Sequence, residues 1–159
     1  MQLTIWNNEE LDAMSNRVTL IYVDKVNLNG RVYNEETAKK IVSDFSEKKA
    51  FGEFVQDGDQ TQLSDVISIS NMSHYISEIV YEKEKGIVSG NLTLLQTPVG
   101  EYCKSLLSTG KYVVRSRGIG TVEESGIVKI DKIIAFDIIS AEADSFANYT
   151  DKTKNTGII

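Results

Sequence analysis

Cysteine, proline and histidine each occur once in the 159 residues, as Cys103, Pro98 and His74. One cysteine excludes an internal disulfide. Set among apolar residues at helical spacing, Cys103 reads as a small core residue and not as a nucleophile. One histidine excludes a histidine-rich metal site, and a lone histidine in a strand pattern reads as a structural hydrogen-bonding residue. Long apolar runs are missing as well. None approaches the ~20 residues needed to span a bilayer, and the acidic start lacks the form of a signal peptide. The expectation is a chain kept in a reducing compartment, with no membrane partner. Positive charge is in deficit: 17 Lys and Arg stand against 23 Asp and Glu, a net charge of −6. That argues against a general nucleic-acid binder. Lys111, Arg115, Arg117, Lys129 and Lys132 are close enough in sequence for a local basic patch, although scattering over a solvated face is the plainer reading.

The length fits a single domain over residues 1–159, which buries roughly 68–70% of the surface of its unfolded chain. Hydrophobic residues make up 41% and charged residues 25%, enough for a core and against disorder of the whole chain. No internal repeat, low-complexity tract or linker interrupts it. Thr97 as cap, Pro98 in the first turn and Gly110 as terminator frame one helix, with Val99, Tyr102, Cys103, Leu106 and Leu107 as its apolar stripe. A second helix begins near Asn34. Glu35 and Glu36 suit its N-terminal end and Lys48 and Lys49 its C-terminal end, while Ala38, Ile41, Val42 and Phe45 form the buried stripe. Both helices need a surface to lie on.

A sheet supplies it. Arg17 to Val23, Val66 to Tyr81, Ile87 to Leu95, Lys111 to Val122 and Ile127 to Ile139 are rich in β-branched and aromatic residues. Glu124-Ser125-Gly126 reads as the turn of a hairpin between the last two. From Ile133 to Ile139 apolar residues occupy both faces, as in a doubly buried strand, so Asp137 within it needs a partner or a place at a wet strand end. Asp57-Gly58-Asp59 opens like a calcium loop, but the remaining EF-hand ligands do not follow and a solvated turn is the better reading. Gly118-Ile119-Gly120 lacks the third glycine and the strand-to-helix context of a dinucleotide site. No cofactor or metal is expected.

Six segments carry more than composition. Asn27-Leu28-Asn29-Gly30-Arg31-Val32-Tyr33 stands before the first helix and Gly52-Glu53-Phe54 after it. Asn71-Met72-Ser73-His74-Tyr75-Ile76 lies in a strand, and Leu95-Gln96-Thr97-Pro98-Val99-Gly100 leads into the second helix. Ser116-Arg117-Gly118-Ile119-Gly120 and Phe136-Asp137-Ile138-Ile139 complete the series. In this order they resemble the N-x-N-G-R-V-Y, G-E-L, N-x-S-H-x-I, L-x-T-P-x-G, S-R-G-x-G and F-D-x-V stretches of the tailed-phage prohead core (head maturation) proteases, which have the herpesvirus assemblin type of fold. The resemblance covers about 27–147. It implies an α+β fold, mainly an antiparallel sheet or barrel flanked by two or three helices, with a protease-like core over about 17–147.

The resemblance also implies where catalysis would sit. The family's G-E-L-x-H supplies its histidine, and here the run ends in Gln56. Its S-S-R-G supplies the nucleophile from the first serine, and here that place is held by Arg115. The third position falls on Asp137. Glutamine accepts no proton near neutral pH and arginine is no nucleophile, so the resemblance implies a chain without peptidase activity. A charge-assisted pair between Arg115 and Asp137 is the expected replacement. Ser116, on the opposite strand face, and His74 are the fallback pair for a rearranged serine peptidase. The implied role is a structural head protein, an auxiliary or decoration protein bound to the major capsid protein and other head proteins in the virion, with a possible homo-oligomer on the lattice. Alternatives are a prohead scaffold or core component, the rearranged peptidase, and an inhibitor or partner of a separate protease. The first 20 or so residues and 149–159 read as adaptable arms.

Overall fold

The computed structural model describes residues 16–27, 30–55, 65–109, 112–140 and 156–158. Within them lie seven strands, β1 (Asn16–Tyr22), β2 (Ala50–Val55), β3 (Met72–Glu82), β4 (Ile87–Leu94), β5 (Tyr112–Val122), β6 (Val128–Ser140) and β7 (Thr156–Ile158), and two α-helices, α1 (Glu35–Asp44) and α2 (Pro98–Thr109). Both helices start where their caps direct. The Thr37 amide donates to Asn34 Oδ1 at 2.9 Å, and the Gly100 amide donates to Thr97 Oγ1 at 3.0 Å, each satisfying an amide that has no partner within its helix. Helix α1 ends at Asp44, with Phe45 as its cap and Glu47 in a left-handed conformation (φ 59°). Lys48 and Lys49 therefore lie past the helix and do not serve its C-terminal end as the charge pattern suggested.

The strands form one sheet in the order β1-β4-β3-β2-β6-β5-β7. Adjacent strands run antiparallel except β2 and β6, which are parallel through Phe54–Ile138 and Val55–Ile139. The sheet curls until β1 approaches β5, making a half-barrel. The short segment Arg31 to Tyr33 helps fill the gap: Val32 donates its amide to the Gly126 carbonyl at 2.8 Å and accepts from the Val128 amide at 2.9 Å, while Asp24 donates to the Tyr33 carbonyl. Gly126 sits in the predicted β5–β6 turn with φ 91°, and an added Cβ would lie 2.5 Å from the Gly30 carbonyl oxygen. Only glycine fits a left-handed position against passing backbone.

Periodicity in β5 and β6 separates two faces. Val114, Phe136 and Ile138 belong to the main apolar core with Ile41, Ile76, Leu92, Cys103 and Leu107. Helix α1 packs there, with the Phe45 and Phe136 rings 5.9 Å apart and Thr37 Oγ1 donating to the Val128 carbonyl at 2.8 Å. Helix α2 packs against β3 and β4 and sets Tyr102 edge-on to Phe54. Cys103 is buried, and burial pushes its thiol up to about 11, the state of a core residue and not of a nucleophile. The opposite face of β5 and β6 carries Arg115, Arg117 and Asp137.

Two expectations about strands are corrected. Residues 66–71 are not strand: Val66 lies in a bend and Ile69–Asn71 form a 3-10 turn, with Val66 and Ile69 64% and 84% exposed. The Asn71 side chain holds this turn by donating to the Phe54 carbonyl at 2.6 Å. Conversely, β2 was not anticipated as a strand, because Gly52 and Glu53 interrupt its β-branched and aromatic pattern. The Asp57-Gly58-Asp59 turn lies outside the described residues, as does most of the two expected arms. Among the described residues no helix is long and apolar enough to cross a membrane.

Candidate functional site

The site is built on three neighbouring strands. In the β5–β6 ladder Arg115 pairs with Asp137 and Arg117 with Ala135, so residues two apart on β5 place both guanidiniums on one face, above Asp137. On the other side of β6, a register irregularity in β2 between Gly52 and Glu53 brings Glu53 alongside. Bulged strands re-aim side chains in this way. All four charged residues are buried: Glu53 at 2% exposure, Arg115 at 4%, Arg117 at 1% and Asp137 at 0%.

Arg117 is the hub. Its Nη2 lies 2.7 Å from Glu53 Oε2 and donates to Asp137 Oδ1 at 3.2 Å, its Nε lies 3.1 Å from Asp137 Oδ2, and its Nη1 donates to the Val66 carbonyl at 3.3 Å. Arg115 contributes a longer pair, with Nη2 3.7 Å from Asp137 Oδ2. The Glu53 amide donates to Asp137 Oδ1 at 3.1 Å. Two carboxylates thus face two guanidiniums, and the buried charge is balanced. Burial pushes the Asp137 carboxyl above its ordinary value, opposed by Arg117 and then Arg115. Burial likewise lowers Arg115, opposed by Asp137.

The expected Arg115–Asp137 pair is present, but the shorter contacts to Asp137 come from Arg117, which the sequence offers only within a motif and as one member of a basic patch. Glu53 was missed in the same way. The available signal was the two-residue spacing of Arg115 and Arg117 on a strand, together with one acid in the otherwise apolar run Phe51 to Val55. Gln56 lies outside the described residues. Arg115 and Arg117 face acids and Lys129 pairs with Glu123 at 2.9 Å, so these three form no basic patch, and Lys111 lies outside the described residues.

Ser116 and His74 are not brought together by any described hydrogen bond. Ser116 points to the other face, with Oγ 3.2 Å from the Tyr33 hydroxyl. Tyr33 is buried, and burial raises its phenol against the hydrogen bond from Ser116 and the charges of Arg31 and Arg115. His74 is fully buried on β3, where Nε2 donates to the Phe136 carbonyl at 2.6 Å and Nδ1 accepts from Ser73 Oγ at 2.7 Å. That arrangement assigns the neutral Nε2–H tautomer. The ring crosses Gly52, whose missing Cβ would meet the Phe136 oxygen and His74 itself. Burial lowers the His74 pKa to about 4, with the Phe136 bond opposing. Among the described residues no three His, Cys, Asp or Glu side chains converge as a metal site. Gly118-Ile119-Gly120 lies inside β5, far from any strand-to-helix phosphate loop.

No family model matches the chain, and no curated protein matches its sequence significantly. Among solved structures, the bacteriophage T4 capsid assembly protease gp21 is similar, with a TM-score of 0.63 over 77% of this chain and 79% of that one, at 18% identity. The half-barrel with its two helices is a prohead-protease-like fold.

Proposed function

We propose that the chain is a phage head protein that carries the prohead-protease fold without the peptidase chemistry, acting as an auxiliary or decoration protein on the capsid lattice. One observation carries this reading: Asp137 is engaged by Arg117, Arg115 and the Glu53 amide. In a Ser–His–Asp triad the acid must accept from the imidazole that serves as base. Here the carboxylate lies instead between two permanent cations, which neither release nor take up a proton near neutral pH. Arg115 occupies the position the resemblance gives to the nucleophile and Gln56 the position of the base. A nucleophile and its base act as a unit, so loss of both leaves little rate.

The T4 neighbour acts in capsid assembly by its name, which is the ground for placing this chain among head proteins. Retention of the fold without turnover suits a binding role, with the major capsid protein and other head proteins as partners and the virion as its destination. The rearranged peptidase is disfavoured: Ser116 bonds to Tyr33, and both ring nitrogens of His74 are taken. Incubation of the purified chain with capsid and scaffold proteins tests the reading. Intact substrates and stable association with the capsid protein are expected; defined cleavage fragments that vanish in Ser116→Ala would overturn it.

A further inference from the structure

A pocket of about 420 Å³ opens between the end of α1 and β3, away from the charged face, with Val42, Phe45 and Ile79 as its apolar lining and Ser46, Lys48 and Glu78 among its polar lining residues. Its size falls in the range of ligand-binding clefts. Irregular backbone bounds it on both sides. Glu47 (φ 59°) follows α1, and Glu78 (φ 51°) sits where the β3–β4 register shifts. Left-handed non-glycine residues persist only where their surroundings enforce them. The enforcement on β3 is visible: Arg17 Nη1 donates to the Glu78 carbonyl at 2.9 Å, Arg17 Nη2 donates to Ser89 Oγ at 2.7 Å, and Asn91 donates to the Glu78 carboxylate. One arginine on the edge strand thereby ties three strands around the bulge, and the hollow is preformed.

The same molecule presents an exposed apolar knob. Ile69 is 84% exposed, the most exposed large hydrophobic side chain among the described residues. Its 3-10 turn is braced by the Asn71 amide on the Ser68 carbonyl at 3.1 Å and by Asn71 Nδ2 on the Phe54 carbonyl. A chain's own knob cannot enter its own pocket. Met72, directly after the turn, and Ser77, at the pocket, are about 17 Å apart along an antiparallel strand, which is beyond side-chain reach. Exposed Asp65 lies four residues before Ile69, and exposed Lys48 lines the pocket.

We propose that Ile69 of one copy seats in the Val42–Phe45–Ile79 pocket of a second copy, with Asp65 beside Lys48, joining copies head to tail. Knob and hole occupy different surfaces, so the contact is heterologous and builds rings or rows and not a two-fold dimer. This contact is independent of what the Arg115 face does. Sedimentation velocity of the full chain tests it up to roughly 100 µM, where micromolar contacts are well populated. The wild type should associate with rising concentration. Ile69→Asp and Ser46→Trp, both at exposed positions, should each sediment as single chains, and an equimolar mixture should give a heterodimer, since one intact knob then meets one intact hole. Charge reversal gives a milder second reading: Asp65→Lys and Lys48→Glu should each weaken association, and the double variant should restore it. A wild type that stays monomeric, single variants that associate unchanged, or a mixture without heterodimer would overturn the proposal.

Discussion

Arg115 and Asp137 face each other across the β5–β6 ladder, guanidinium Nη2 3.7 Å from carboxylate Oδ2, with neither side chain open to solvent. The pair alone would be a loose one. Arg117 tightens it by holding Asp137 and Glu53 together, so the four groups act as one unit whose members are unequal. A buried pair adds little over an apolar replacement, yet removing one partner strands the other.

The inequality predicts an order of costs. Arg117→Met leaves both Glu53 and Asp137 without their nearest cation and should destabilise by about 3–5 kcal/mol. Arg115→Met leaves Asp137 still bound to Arg117 and the Glu53 amide and should cost less, about 1–2 kcal/mol. Equilibrium urea unfolding measures both, and equal costs would show that the network is not centred on Arg117.

Asp137→Asn should cost nearly as much as Asp137→Ala. The amide keeps the shape but not the charge that two guanidiniums face, so each variant should lose about 3 kcal/mol or more in urea unfolding. An Asn variant at wild-type stability would mean that the arginines need no counter-charge.

His74 gives the pH dependence. Its folded pKa is near 4, below the ordinary 6.5, because burial disfavours the charged ring. In the window between these values the unfolded chain binds the extra proton and the folded one does not. The contribution of His74 to stability therefore falls as pH drops from about 6.5 toward 4, by up to about 3 kcal/mol. Above 6.5 the residue contributes no slope. Stability curves of wild type and His74→Gln across this range should diverge in slope, with the variant flatter.

Gly52 should tolerate no side chain. A methyl group would strike the Phe136 carbonyl and the His74 ring, so Gly52→Ala should destabilise by roughly 3 kcal/mol, read as a lowered urea midpoint with unchanged slope. Unchanged stability would mean that the ring does not cross β2 there.

Much of this architecture was legible because local chemistry and fold agree. Asn34 and Thr97 cap the helices the pattern assigned to them, and Gly126 turns the hairpin. The family-like motifs prove to sit at structural junctions: Gly30 in a left-handed turn before the Arg31–Tyr33 segment, Asn71 on the Phe54 carbonyl, Thr97 as a cap. What stayed hidden depends on partners distant in sequence. Glu53 meets Arg117 across 64 positions, and no local pattern specifies that. The parallel β2–β6 pairing is equally invisible, since Gly52 and Glu53 look unlike a central strand until the His74 ring and the guanidiniums are in place. Ile69 was assigned to a strand because β-branched residues favour strands, and its exposure on a turn overrides that preference.

The most direct test of the central claim is mass-spectrometric quantification of this chain in purified mature virions, relative to the major capsid protein. An auxiliary head protein without peptidase activity should be present, intact and in fixed ratio to the capsid protein. Absence from the virion, or presence only as self-cleaved fragments, would contradict the account.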